Sequence, residues 1–134
     1  MPRNYSGGAT QYEVVDSLAN QSVTVNGRKM TNPGDARGMV FTVAITNAGT
    51  SPTLVVKLQW SPDGGTTWVD WDTTNLQTTS QVAIGTVHLR VYPGLTTAAN
   101  AARNDALPPF WRAVYTIGGT TPAWTLNTYA NYLV

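Results

Sequence analysis

The chain has 134 residues and no cysteine, which excludes disulfides, thiolate catalysis and zinc–thiolate sites. Only 11% of the residues are charged, and the net charge of +1 comes from scattered side chains rather than from a basic run that would follow nucleic-acid phosphates. The Thr- and Val-rich composition, with 12 Gly and 8 Pro, is typical of a single all-β domain.

The N-terminal residues 1–11 are polar and contain glycine, so we predict a flexible arm that orders only against a partner. This segment lacks the apolar core of a signal peptide, and no run of about 18 apolar residues is present to cross a membrane. We therefore expect synthesis in a cytoplasm, with neither a membrane nor a nucleic acid as partner. Residues 12–134 are predicted to form one domain, a β-sandwich of jelly-roll type.

Alternating apolar residues predict seven or eight strands in this domain. The first half is predicted to contain strands over residues 12–18, 22–25, 39–47 and 53–61, with a loop at 31–38 and a turn of the chain at 48–52. The second half is predicted to contain strands over residues 68–72, 81–92, 110–117 and 123–134, a short helix within 95–107 and a turn at 118–122.

The segment at residues 61–68 predicts a hairpin between two of these strands. Its Asp-Gly-Gly sequence supplies the positive-φ residues of a tight turn, and the Asp63 carboxylate can accept hydrogen bonds from the loop backbone. Trp68 can fold back under the turn. The predicted structural residues of the hairpin are Ser61, Asp63, Gly65, Thr67 and Trp68.

Acidic residues and the single histidine are the candidates for chemistry. His88 lies in the middle of a predicted strand and lacks a nucleophile–base pattern around it, which favours a structural or solvent-facing role. Asp63, Asp70 and Asp72 lie close in sequence and suit turn and strand-surface positions, with a cation site or a catalytic carboxylate pair as alternatives. We predict no catalytic residue, no metal ligand and no cofactor.

The five tryptophans exceed what the core of so small a domain usually requires. We predict that Trp60 and Trp111 lie in the core and that Trp71 or Trp124 lies partly at an interface. A sugar-stacking platform is the alternative. Arg112, beside Trp111, is interpreted as a stacked or capping cation.

Two resemblances involve the hairpin. Its pattern S-x-D-x-G-x-T-W at residues 61–68 resembles the Asp box of sialidases and other β-propellers, where the motif is structural and repeats. Here the pattern occurs once, and no sialidase activity is carried over. The strings LQWSPDGGTTW at residues 58–68 and FWRAVYTIGGTTP at 110–122 resemble small structural proteins of tailed bacteriophages.

The second resemblance implies a non-enzymatic virion protein. Its expected role is a head decoration (cement) protein on the capsid surface, or else a head-completion or tail protein. Such a protein would be a homo-oligomer, with a trimer as the expected state, bound to the major capsid protein or to another virion protein. No functional residue is carried over from this resemblance.

Candidate interface residues follow from the arm and the tryptophans. They are Arg3, Tyr5, Trp71 and Trp124, with the loop at 93–109 as a second contact. The competing hypothesis is a carbohydrate-binding module. Exposed, coplanar indoles would favour sugar binding, whereas buried or interfacial indoles would favour assembly.

Overall fold

A computed structural model describes residues 11–34 and 36–133, with the side chain of Gln11 left out. Across these residues the chain is all-β and contains no helix. The predicted arm lies outside the described residues, apart from Gln11, which begins the first strand.

Eight strands form one sheet. In chain order they are β1 (Gln11–Gln21), β2 (Val25–Asn26), β3 (Met30–Thr31), β4 (Gly38–Trp60), β5 (Val69–Asp70), β6 (Gly85–Val91), β7 (Ala102–Arg103) and β8 (Phe110–Leu133). The order across the sheet is β1-β8-β4-β6-β7, while β2 and β3 also pair with β8 and β5 pairs with β4. The β6–β7 pair is parallel and the other pairs are antiparallel.

The two long strands bend where the sequence predicted turns. β4 and β8 pair from Gly38↔Leu133 to Trp60↔Trp111, so the chain does not reverse at 48–52 or at 118–122 and both turn predictions are wrong. Register shifts on either side of Asn47 mark bulges, which bend a strand without ending its pairing. The sheet therefore has a corner, at which β4 and β8 bend together.

Burial shows that the corner folds the sheet over its own core. In β4 the buried positions are odd-numbered from Met39 to Ile45 and even-numbered from Leu54 to Leu58. One extra residue lies in β4, between Ile45 and Asn47, and one in β8, between Pro122 and Thr125. Each shifts the side-chain alternation of its own strand by one, so both halves of that strand face the same interior. Phe41 in the first half packs edge-on against Trp111, the partner of Trp60 at the far end, with ring centroids 6.0 Å apart.

A polar network also joins the two halves inside this core. The Tyr115 hydroxyl donates to Asp16 Oδ2 at 2.7 Å and lies 2.9 Å from Thr128 Oγ1. Thr128 Oγ1 in turn accepts from the Asp16 backbone N–H. Burial, followed by the negative charge of Asp16, raises the pKa of Tyr115 above its usual value.

This raised pKa predicts a loss of stability in alkali. Above about pH 10 the unfolded chain releases the Tyr115 proton while the folded chain keeps it, so the unfolded state binds fewer protons and stability falls with rising pH. We expect Tyr115→Phe to abolish this pH dependence, in which the free energy of unfolding falls by up to about 1.4 kcal/mol for each pH unit. Urea titration measures the free energy of unfolding. Tyr92→Phe should keep the slope, and an unchanged slope in Tyr115→Phe would contradict the prediction.

Two further predictions need correction. The helix expected within residues 95–107 is absent: Ala98 and Ala102 exchange backbone hydrogen bonds across a turn in which Asn100 has φ 57°, and β7 follows. The strand expected over 81–92 is shorter, because Gln81 bridges to Leu54 before the chain crosses to start β6. Alanine content was a poor guide here, since tertiary pairing overrides a weak helix propensity.

Candidate functional site

The hairpin at residues 61–68 is confirmed. It joins β4 to β5 through the pairs Gln59↔Asp70 and Trp60↔Val69. Ser61 Oγ accepts from the Gly65 N–H at 2.7 Å and donates to Asp63 Oδ1, which also accepts from the Thr67 N–H at 2.7 Å. The hydroxyl and the carboxylate each accept a hydrogen bond from a backbone N–H four residues further on, so together they stabilise the loop backbone.

The backbone of this turn stabilises the charged form of the Asp63 carboxylate. The Thr67 backbone N–H, which donates to the carboxylate, is the largest cause lowering the pKa of Asp63. Gly64 and Gly65 have φ 80° and 105°, and a Cβ on Gly65 would lie 2.6 Å from Lys29 Cδ. The backbone conformation of the loop therefore favours glycine at positions 64 and 65.

Trp68, at the end of the hairpin, contacts β8 through Arg112. The Arg112 guanidinium stacks over its ring at 4.5 Å, which confirms the interpretation of Arg112 as a stacked cation. Arg112 Nε also donates to Gln59, whose amide donates to Asp70. The pKa of Asp70 is lowered first by Gln59 and then by Lys57, which lies 2.9 Å away.

The other tryptophans divide between core and surface. Trp111 is buried, as predicted. Trp124 is also fully buried, and its indole N–H donates to the Thr53 carbonyl oxygen at 3.2 Å, so the proposed interface position of Trp124 is corrected to a core position. Trp60 and Trp71 are half-buried, so the core position predicted for Trp60 is corrected to a partly exposed one. Arg3 and Tyr5, the remaining candidate interface residues, lie outside the described residues.

Trp60 and Trp71 line a cleft of about 290 Å³ at the end of β4 that lies away from the corner. Its other walls come from the end of β7 and the segment that follows it. They are Arg103, Asp105, Ala106 and Pro108. Trp71 is a candidate residue from the sequence alone, whereas Arg103 and Asp105 are not, because their partners lie more than thirty residues away along the chain.

The cleft holds an ordered set of charges. Asp105 Oδ2 accepts from the Trp71 indole N–H at 3.2 Å and from Arg103 Nε at 3.0 Å, while Arg103 Nη1 donates to Asp72 at 2.8 Å. Burial would raise the pKa of Asp105, but the hydrogen bonds from Trp71, Ala106 and Arg103 outweigh it and lower the pKa.

The three aspartates that lie close in sequence, Asp63, Asp70 and Asp72, do not form a shared cation or catalytic site. Asp63 serves the hairpin, Asp70 pairs with Lys57, and Asp72 accepts from Asn75 and Arg103. Burial would raise the pKa of Asp72, yet these last hydrogen bonds lower it. Within residues 11–34 and 36–133, no three His, Asp or Glu side chains come together as a metal site.

His88 lies on the outer face of β6. It is exposed, and its Nδ1 lies 2.9 Å from Thr42 Oγ1 on the neighbouring strand. The contact is a cross-strand pair, which agrees with the structural role predicted for this residue.

A second surface of interest surrounds the corner, and we define the corner surface as residues 21–25, 46–53, 81–85 and 118–123. None of these residues is charged. The segments 21–25 and 81–85 cross the corner on its two sides, from β1 to β2 and from the Leu54–Gln81 bridge to β6. Val23, Val82 and Ile84 expose 63%, 63% and 66% of their surface there.

The described residues include no helix long and apolar enough to span a membrane. Comparisons with protein-family models, curated proteins and solved structures gave no match for this chain.

Proposed function

We propose that the chain is a non-enzymatic structural protein of a bacteriophage virion, a capsid decoration protein that binds the major capsid protein. In this proposal the folded sheet is a β-sandwich of jelly-roll type, the protein is a homo-oligomer with three copies of the chain, and it lies on the outer surface of the head. A position at the head–tail junction or in the tail is the alternative within the same class.

The pairing of the two phage-like strings supports this proposal. Residues 58–68 and 110–122 are far apart in sequence, yet Leu58, Gln59 and Trp60 pair directly with Ala113, Arg112 and Trp111. The two strings are thus neighbouring parts of one sheet, as expected if they resemble a single structural unit. The resemblance is to fold-defining residues, and the proposal inherits no site from it.

The corner surface is the observation that carries the binding part of the proposal. A surface without charged residues loses little solvation when a partner covers it, and exposed aliphatic side chains gain from burial. Val82 and Ile84 lie on one crossing segment and Val23 on the other, so apolar side chains flank the corner on both sides. We assign this surface to contact with the capsid protein.

A charge placed on this surface tests the assignment. The double variant Val82→Lys/Ile84→Lys changes two exposed side chains, so we expect the fold to be kept and binding to capsids to weaken by about a hundredfold, from lost apolar burial and buried charge. Binding is measured by sedimentation with particles purified from a phage strain that lacks this gene. Thr73→Lys/Thr96→Lys, at two other exposed positions, is the charge-matched control.

Two results would contradict the proposal. One is the absence of the protein from purified virions by mass spectrometry together with no binding to particles. The other is equal binding by the corner variant and its control, which would remove the corner surface from the contact. Sedimentation velocity separately tests the trimer, since the expected mass is that of three 14.4 kDa chains.

A further inference from the structure

The cleft between Trp60 and Trp71 combines indole rings with a fixed polar pair. Asp105 holds both the Trp71 indole N–H and Arg103 Nε, so the aromatic and charged walls are bonded to each other. Arg103 is also bound to Asp72, whose side chain is only 9% exposed. These bonds hold the groups in place before any ligand arrives, which lowers the ordering cost of binding.

Arg103 and Asp105 can each form a further hydrogen bond to a ligand. Arg103 Nη2 makes no hydrogen bond to any described residue, and Asp105 Oδ1 accepts one bond, from the Ala106 N–H. The side chains of Arg103 and Asp105 are 37% and 39% exposed. A donor and an acceptor are therefore presented side by side at the edge of an aromatic wall.

These groups select the class of ligand. The two carboxylates of Asp72 and Asp105 outnumber the one guanidinium of Arg103, which disfavours an anion. A purely apolar ligand would strip water from Arg103 and Asp105 without replacing their hydrogen bonds. A proline-rich peptide offers carbonyl acceptors but lacks N–H donors for Asp105.

A sugar ring can bond to the polar pair and pack against the indole rings of the cleft at the same time. Neighbouring hydroxyls each donate and accept, so one can accept from Arg103 while the next donates to Asp105. The C–H face of the ring can then pack on an indole. The volume of about 290 Å³ is at the lower end of the range for ligand clefts, which suits one or two sugar units.

We infer that this cleft binds a neutral hexose unit of a glycan, held between Trp60, Trp71 and the Arg103–Asp105 pair. The inference does not depend on the capsid proposal, because the cleft lies at the far end of β4 from the corner surface, about 30 Å along the strand.

The test begins with a glycan array and continues with isothermal titration of the full chain. The titrants are the methyl glycosides of glucose, galactose, mannose and N-acetylglucosamine. We expect at least one to bind with a Kd of about 1 mM or tighter, and Trp71→Ala to raise that Kd about tenfold. Trp68→Ala removes a half-buried indole outside the cleft and should leave the Kd within about twofold.

A second variant keeps the test decisive if Trp71→Ala disturbs the fold. Arg103→Lys retains the charge facing Asp72 but loses the planar fork, and we expect it to weaken binding about fivefold while circular dichroism stays unchanged. The inference is overturned if no glycan on the array and no glycoside binds, or if Trp71→Ala and Trp68→Ala bind equally well. Binding of a polyproline peptide in place of the sugars, weakened by Arg103→Lys, would also overturn it.

Discussion

Gly119→Ala is expected to destabilise the fold by about 3–4 kcal/mol, because the corner of the sheet leaves no room for a Cβ there. Gly119 has φ 95°, a conformation that L side chains rarely adopt. A Cβ would also lie 2.3 Å from the Ser51 carbonyl oxygen and 2.9 Å from Pro52 Cα. Since both contacts are with backbone atoms of β4, the paired strand itself would have to move.

Gly94→Ala separates the two causes of this loss. Gly94 has φ 89°, but nothing lies within 4 Å of its Cβ position, so the variant introduces the backbone strain alone. We expect it to cost about 1 kcal/mol. The free energy of unfolding in urea is the measurement for both variants. Equal losses at Gly94 and Gly119 would mean that the contact with β4 contributes nothing.

The corner of the sheet was not predicted from the sequence. The composition at residues 48–52 and 118–122 is that of a turn, and the prediction of two turns followed from it. A bulged bend requires the same residues as a reversal: glycine for positive φ and proline where no ladder N–H is needed. The alternation did contain a signal, since the buried positions change from odd to even across both segments.

The hairpin was predictable because its hydrogen bonds are local. Ser61, Asp63 and Thr67 lie within one loop, and their spacing alone specifies the turn. The cleft was not predictable in the same way. Arg103 meets Asp72 only because the irregular segment around β7 folds beside the residues that follow β5, and no periodic pattern in residues 95–107 indicates that path.

Trp124 gives the clearest contrast between a core and an interface position. Its indole is fully buried, and its N–H reaches across the corner to the Thr53 carbonyl oxygen. We therefore expect Trp124→Ala to lower the free energy of unfolding by about 3–5 kcal/mol, through the lost apolar burial and the cavity left behind. Urea unfolding followed by circular dichroism measures this loss without interference from any partner.

Trp68→Ala is the matched control, since it removes an indole that is half-buried and stacked on Arg112 at the surface. Its expected cost is within about 1 kcal/mol. An interfacial Trp124 would give the reverse pattern: unchanged unfolding of the isolated chain and weaker assembly. If Trp124→Ala matched Trp68→Ala in stability, the core position of Trp124 and the folding of the sheet around it would both be contradicted.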